Sequence, residues 1–177
     1  MADETVWGKP AVVLAAPSDV VLDGAGVGPA LDLAFPGAPG AELKAGCGAF
    51  SSTQVFAVRV PITVPKGKRL VGFAQTLQFG YQKTNGARVV LLAELAGVAR
   101  VVEFGYDAQT VQPIDEPIVN ELVFSVLGLE GGNPSLVGLE GDLPDYTAVF
   151  TVVLERRTLQ ESALFSLDRV MVGANIV

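Results

Sequence analysis

The chain of 177 residues contains no histidine, one cysteine and one tryptophan. Without histidine there is no Ser-His-Asp or Cys-His arrangement and no imidazole general base. The imidazole ligands of catalytic zinc, of haem and of facial-triad iron are missing as well. A single cysteine closes no internal disulfide and builds no cysteine-rich metal site. Cys47 stands in Ala45-Gly46-Cys47-Gly48-Ala49 with no base beside it in sequence. It therefore reads as a small buried or inert thiol rather than as a nucleophile. Charge is scarce too, at 18% against 50% hydrophobic residues, which excludes a disordered chain. That much apolar mass exceeds what one core needs, so part of it is expected on the surface or between subunits.

Basic residues are outnumbered, with 12 Lys and Arg against 19 Asp and Glu for a net charge of −7. This argues against nucleic-acid binding, whose first requirement is a clustered basic surface. The charge is uneven: residues 61–100 hold six basic groups and only Glu94 as an acid, whereas residues 101–177 hold three basic and twelve acidic groups. Either oppositely charged strands are neighbours in the fold, or the surface is bipolar and drives self-association. No uncharged run is long enough for a spanning helix; the longest are 45–58 and 70–82, against the roughly 18 residues required. The acidic start Met1-Ala2-Asp3-Glu4-Thr5 does not resemble a secretory leader. The expectation is a protein without a membrane span, cytoplasmic or released without a signal peptide.

What is present is a period of two. Phe56, Val58, Val60, Ile62 and Val64 alternate with residues that include Arg59 and Thr63, and Pro61 within the run points to a sheet edge or bulge. Pro65-Lys66-Gly67-Lys68 reads as a turn. Val71, Phe73, Leu77, Phe79 and Tyr81 then share a face, with Gln75 the exception. Thr84-Asn85-Gly86 follows, and Asn-Gly between apolar runs signals a hairpin. Runs at 88–95 and 98–106, at 118–127, 146–154 and 163–172 complete the main part; Val89–Leu92 and 146–154 are apolar on both faces. Residues 1–50 are richer in Gly and Pro, with shorter candidates at 11–15, 20–22 and 31–35. Helical alternatives exist only at 87–95 and 158–164. About ten strands at this spacing predict one all-β domain over 1–177, a two-sheet antiparallel β-sandwich, with the jelly roll as the finer expectation.

Few motifs carry chemistry. Gly24-Ala25-Gly26-Val27-Gly28-Pro29 lacks the third glycine and the following helix of a dinucleotide site, and reads as a glycine-rich loop. Residues 125–134 and 135–144 echo each other (Ser-Val-Leu-Gly-Leu-Glu-Gly and Ser-Leu-Val-Gly-Leu-Glu-Gly), too few copies for a solenoid. Within 128–145, Glu140, Asp142 and Asp145 offer oxygen ligands of the kind Ca²⁺ takes, without the ladder of an EF-hand, and a solvated acidic loop explains them as well. Lys66, Lys68, Arg69 and Lys83 flank one strand run and meet only if its two turns come together. Trp7 is either a plug closing an end of the sandwich or an exposed platform.

These readings favour a non-catalytic, self-associating structural or binding module, a homo-oligomer with no required cofactor. The alternative is a lectin-like sandwich that takes a glycan or small ligand through the 128–145 loop, with Ca²⁺. A carboxylate-based hydrolase is the enzymatic rival, weakened because only Trp7, Tyr81, Tyr106 and Tyr146 are available to line a sugar cleft.

Overall fold

Strict alternation of large apolar with other residues builds the middle of the protein. The computed structural model describes residues 5–16, 20–36, 40–95, 98–106, 118–127 and 145–177. They form thirteen strands: β1 (Val6–Trp7), β2 (Ala11–Ala16), β3 (Asp23–Val27), β4 (Ala30–Ala34), β5 (Gly40–Leu43), β6 (Ser51–Val60), β7 (Ile62–Thr63), β8 (Leu70–Lys83), β9 (Ala87–Leu95), β10 (Val98–Phe104), β11 (Ile118–Leu127), β12 (Tyr146–Arg156) and β13 (Ala163–Ile176). All pairings are antiparallel. One sheet runs β10-β9-β12-β6-β2 and the other β11-β8-β13-β4-β3, while β1 and β7 pair separately. The expected all-β two-sheet sandwich is the fold.

The second sheet has a seam. Strand β5 pairs with Ala163–Ser166 of β13 and β4 with Arg169–Gly173, so the two short strands lie end to end along one edge. A bulge between Leu167 and Arg169 separates them, and there the Phe35 N–H donates to the Asp168 carbonyl at 3.1 Å. The extra residue shifts the ladder and lets β13 serve two partners in succession.

Between the sheets lies a core of Phe, Leu and Val. The ring of Phe56 (β6) lies 5.7 Å from Phe35 and 5.1 Å from Phe150 (β12), and Phe73 (β8) meets Tyr146 edge-on at 5.5 Å. Aromatic pairs at such separations add to the stabilisation from burial alone. The even positions of 54–64 do face this core, with Phe56, Val58, Val60, Ile62 and Val64 all buried. Gln75, which breaks the apolar pattern, is buried as well, and the Tyr146 hydroxyl donates to its Oε1 at 2.6 Å. Gln75 Nε2 has no partner among the described residues.

That pair yields two expected results. Tyr146→Phe leaves the Gln75 oxygen without its donor and costs about 1–3 kcal/mol, whereas Tyr146→Phe with Gln75→Leu recovers most of the loss, measured by urea unfolding. Burial pushes the Tyr146 phenol up. A folded-state pKa above the unfolded value gives stability that is complete below about pH 10 and lost as pH rises further, because only the unfolded chain then gives up the proton. Alkaline denaturation of the wild type, set against Tyr146→Phe, isolates this contribution.

Several local expectations fail for clear reasons. The Asn-Gly turn at 84–86 is not a hairpin: β8 and β9 belong to different sheets, and the turn carries the chain across the sandwich. The Gly86 N–H donates to the Glu161 carboxylate at 3.2 Å, and that long-range contact fixes the crossing. Pro61 marks no edge or bulge of β6, which lies between β12 and β2; it falls just past the strand end and its carbonyl accepts from the Gly8 N–H at 2.7 Å. Residues 20–22 are not a strand. The strand is the glycine-bearing β3 immediately after, and β5 also falls outside the expected runs. The helical alternatives fail too: 87–95 is β9, alternating buried and half-buried throughout, and 158–164 supplies a turn closed by Glu161 N–H to Thr158 O at 3.2 Å before β13 begins.

Candidate functional site

The two sheets present contrasting outer faces. On the five-stranded sheet the outward rows, read through the strand pairing, are Ala99, Glu94, Val149, Ala57 and Leu14; then Val101, Leu92, Thr151, Val55 and Ala16; then Glu103, Val90, Val153 and Thr53. The middle of this face is almost entirely aliphatic or β-branched. Val101 is 61% exposed and Leu14 49%. Charge is confined mainly to the two ends of the strands. At one end Arg59 forms an ion pair with Asp145. At the other, Arg88 lies 3.4 Å from Glu103 and 3.1 Å from Glu155.

These pairs bear on the uneven charge of the sequence. Arg88 of the basic segment pairs with Glu103 and Glu155 of the acidic one, as oppositely charged neighbouring strands imply, while Arg59 and Arg169 pair with acids across other segments. The basic set around β8 divides: Lys66 and Lys68 flank the turn before it, and Lys83 is buried at its far end.

The outer face of the six-stranded sheet is polar and uneven. Its rows include Thr76, Met171, Asp32 and Ala25, then Gln78, Arg169, Ala34 and Asp23, then Ala74, Gly173, Ala30 and Val27. Here lies an open depression of about 480 Å³, walled by Asp32, Arg169, Thr76 and Met171. Arg169 Nε donates to Asp32 Oδ1 at 2.6 Å and Nη2 to Oδ2, a two-point pairing of planar groups. The hydrogen bond from Arg169 holds the Asp32 carboxyl below its ordinary value. Its contribution to stability is therefore present above the usual Asp pKa and lost as pH falls through the depressed one. Acid unfolding of Asp32→Asn is expected to lack that component. A second depression, of about 400 Å³, lies at the β5 end, with Glu42, Lys44, Gln82, Thr84 and Leu164 in its wall.

Trp7 is half-buried and acts as a plug. Its ring lies 6.3 Å from Phe73, and Nε1 donates to the Gly28 carbonyl at 3.0 Å. Gly26 has no side chain because a Cβ there would lie 2.2 Å from the indole. Gly28 takes φ +55° in the β3–β4 turn, a conformation that glycine adopts readily. The Gly24–Pro29 motif is thus a strand and its turn, built around an indole.

Of the carboxylates singled out for Ca²⁺, Glu140 and Asp142 lie outside the described residues, as does the repeat at 125–144 beyond residue 127. Asp145 is described and is engaged by Arg59. Among the described residues no group of three His, Cys, Asp or Glu side chains is placed to hold a metal ion. No helix of the described residues is long and apolar enough to cross a membrane.

Neither a family model nor a curated protein matches this chain. Among solved structures, TmCBM61 in complex with β-1,4-galactotriose aligns over 96% of this chain and 88% of its own, at 12% identity and a TM-score of 0.36. A likeness at that level assigns nothing to the present chain.

Cys47 has a neighbour that sequence reasoning missed. Arg156, the last residue of β12, is 4% exposed and points into the end of the sandwich. Nη2 donates to the Cys47 carbonyl and lies 3.2 Å from Cys47 Sγ. Nε donates to Ala49 O at 2.8 Å, and Nη1 to the carbonyls of Lys44, Leu159 and Glu161 at 2.8, 3.0 and 2.8 Å. One guanidinium therefore ties the 44–50 segment to the turn between β12 and β13. Its place in the inward alternation of β12 was legible; the ring of carbonyls it meets is a product of the loops.

Proposed function

We propose that the protein is a non-catalytic module that associates with a second copy through the outer face of its five-stranded sheet. The observation that carries this reading is the continuous aliphatic face of Val55, Val90, Leu92, Val101, Val149 and Val153. With strands about 4.8 Å apart and outward residues about 6.7 Å apart along each strand, the outward positions of the five strands cover roughly 640 Å². That lies at the lower end of one partner's share of a standard interface. The charges support a second copy as the occupant. A two-fold axis lying across the strands brings the Arg59 end of β6 in one copy over the opposite end of β6 in the other, next to Glu155 on the neighbouring strand, while the aliphatic rows meet in the middle.

Thr151→Lys tests the reading, because residue 151 sits at the centre of this face and its side chain points away from the core. A lysine there leaves the fold intact and puts an unpaired charge into the interface. Self-association is expected to weaken at least about 100-fold in sedimentation equilibrium, with the β-sheet circular dichroism unchanged. Equal self-association of the variant and the wild type contradicts the proposal.

The sheet order fits a jelly roll: β4-β13-β8-β11 against β6-β12-β9-β10 is the nested arrangement that two Greek keys produce. A second reading, as a binding module for a glycan or small ligand, is favoured by the depression between Asp32 and Met171 on the opposite outer face.

A further inference from the structure

We infer that the depression on the outer face of the six-stranded sheet is a binding site for a neutral, polyhydroxylated ligand, a carbohydrate. The inference rests on the second reading above and not on self-association, which uses the other sheet. Three features define the chemistry. First, the wall is charged but balanced: Arg169 and Asp32 neutralise each other through two hydrogen bonds. The pair carries no net charge to attract an anion or a cation, whereas a hydroxyl can donate to the carboxylate and accept from the guanidinium without disturbing it. Arg169 Nη1 is not used in the pairing with Asp32 and is a further donor in the wall of the depression. Thr76 adds a hydroxyl to the same wall.

Second, the strands beneath the depression, β8, β13 and β4, are each paired on both sides, so recognition over them falls to side chains; of the strands that line it, only β3, which adds Ala25 and Val27 at the margin, is an edge strand of this sheet among the described residues. The Met171 side chain and the floor of Ala74, Gly173 and Ala30 provide an apolar surface for the C–H face of a sugar ring. Among the described residues no aromatic side chain lines the depression, and affinity is expected to be correspondingly weak.

Third, one rim is held in place in advance. The β3–β4 turn is fixed by Trp7 Nε1 on the Gly28 carbonyl and by the Ala174 N–H on the Pro29 carbonyl at 2.8 Å. Val27, 81% exposed, stands on that rim beside Ala30. A preorganised rim lowers the ordering cost of binding. It also places the only tryptophan under the site as an optical reporter.

Gly173→Val is the decisive variant. A Cβ at Gly173 meets no atom within 4 Å, the backbone there is ordinary strand, and β-branched residues suit a strand. The substitution fills the depression without harming the fold. Soluble neutral tetrasaccharides (cello-, xylo-, manno-, malto- and galacto-configured) are titrated to about 10 mM, read by Trp7 emission and by calorimetry. At least one is expected to bind the wild type. Gly173→Val is expected to bind it at least about tenfold more weakly at an unchanged thermal midpoint, and Asp32→Asn also more weakly. No binding by any neutral sugar overturns the inference, as does equal binding by Gly173→Val. Binding by a uronic-acid oligomer or an extended peptide alone overturns it too. Loss of self-association in Thr151→Lys with sugar binding retained separates this site from the interface.

Discussion

Arg156→Met is expected to lower the unfolding free energy by about 3–5 kcal/mol, because several hydrogen bonds from one charged donor, each worth about 1.5–3 kcal/mol on its own, are lost together. Methionine approximates the volume but donates nothing. The carbonyls of Lys44, Ala49, Leu159 and Glu161, and that of Cys47, lose a common donor at once. The carbonyls of Lys44 and Leu159 keep backbone donors in the Cys47 and Gly46 N–H groups, the other part-buried acceptors lose theirs, and two segments far apart in sequence lose the tie between them. Arg156→Lys keeps the charge but not the planar fork, and its loss is expected to be intermediate. Urea unfolding of the three proteins checks the order. A cost below about 1 kcal/mol for the methionine variant means that the loops do not depend on this guanidinium.

Phe56→Ala is the second large effect, at about 3–5 kcal/mol. The ring is fully buried between Phe35 and Phe150, on interior strand β6, and backbone pairing on both sides limits how far the site can collapse. Phe150→Ala opens the same space from the adjacent strand. The double variant is therefore expected to cost less than the sum of the singles, because the second deletion enlarges a cavity already formed. Strict additivity in thermal or urea unfolding contradicts the picture of one shared aromatic cluster.

The contrast between these residues shows what was legible in the sequence. Phe56 and Phe150 announce themselves by alternation, since every second residue of 56–64 and 146–154 is apolar and a strand turns every second side chain to one face. The run 89–92, apolar on both faces rather than alternating, fits a central strand, and β9 lies between β10 and β12. Sheet membership was not legible. Asn85-Gly86 has the local chemistry of a hairpin, yet a contact 75 residues away, Gly86 to Glu161, belongs to a crossing between sheets. Period two assigns faces and not neighbours. Strands β3 and β5 were missed because glycines occupy positions where a neighbouring group comes close, such as Gly26 beneath Trp7.

The outer faces were half legible. The apolar excess pointed to residues such as Leu92 and Val153 that needed cover on both sides, and they lie on one exposed face once β9, β12 and β6 pair. The depression was not legible, because Asp32 and Arg169 are 137 residues apart and meet only through the pairing of β4 with β13. Asp145 stood out as an acid in an acidic loop. Its partner Arg59 comes from β6 through the long register between β6 and β12.

Light scattering on a size-exclusion column tests self-association most directly. At micromolar concentrations the wild type is expected to show a mass about twice the 18.4 kDa of one chain, and Thr151→Lys the mass of one chain. A wild-type mass of 18.4 kDa throughout the micromolar range contradicts the account.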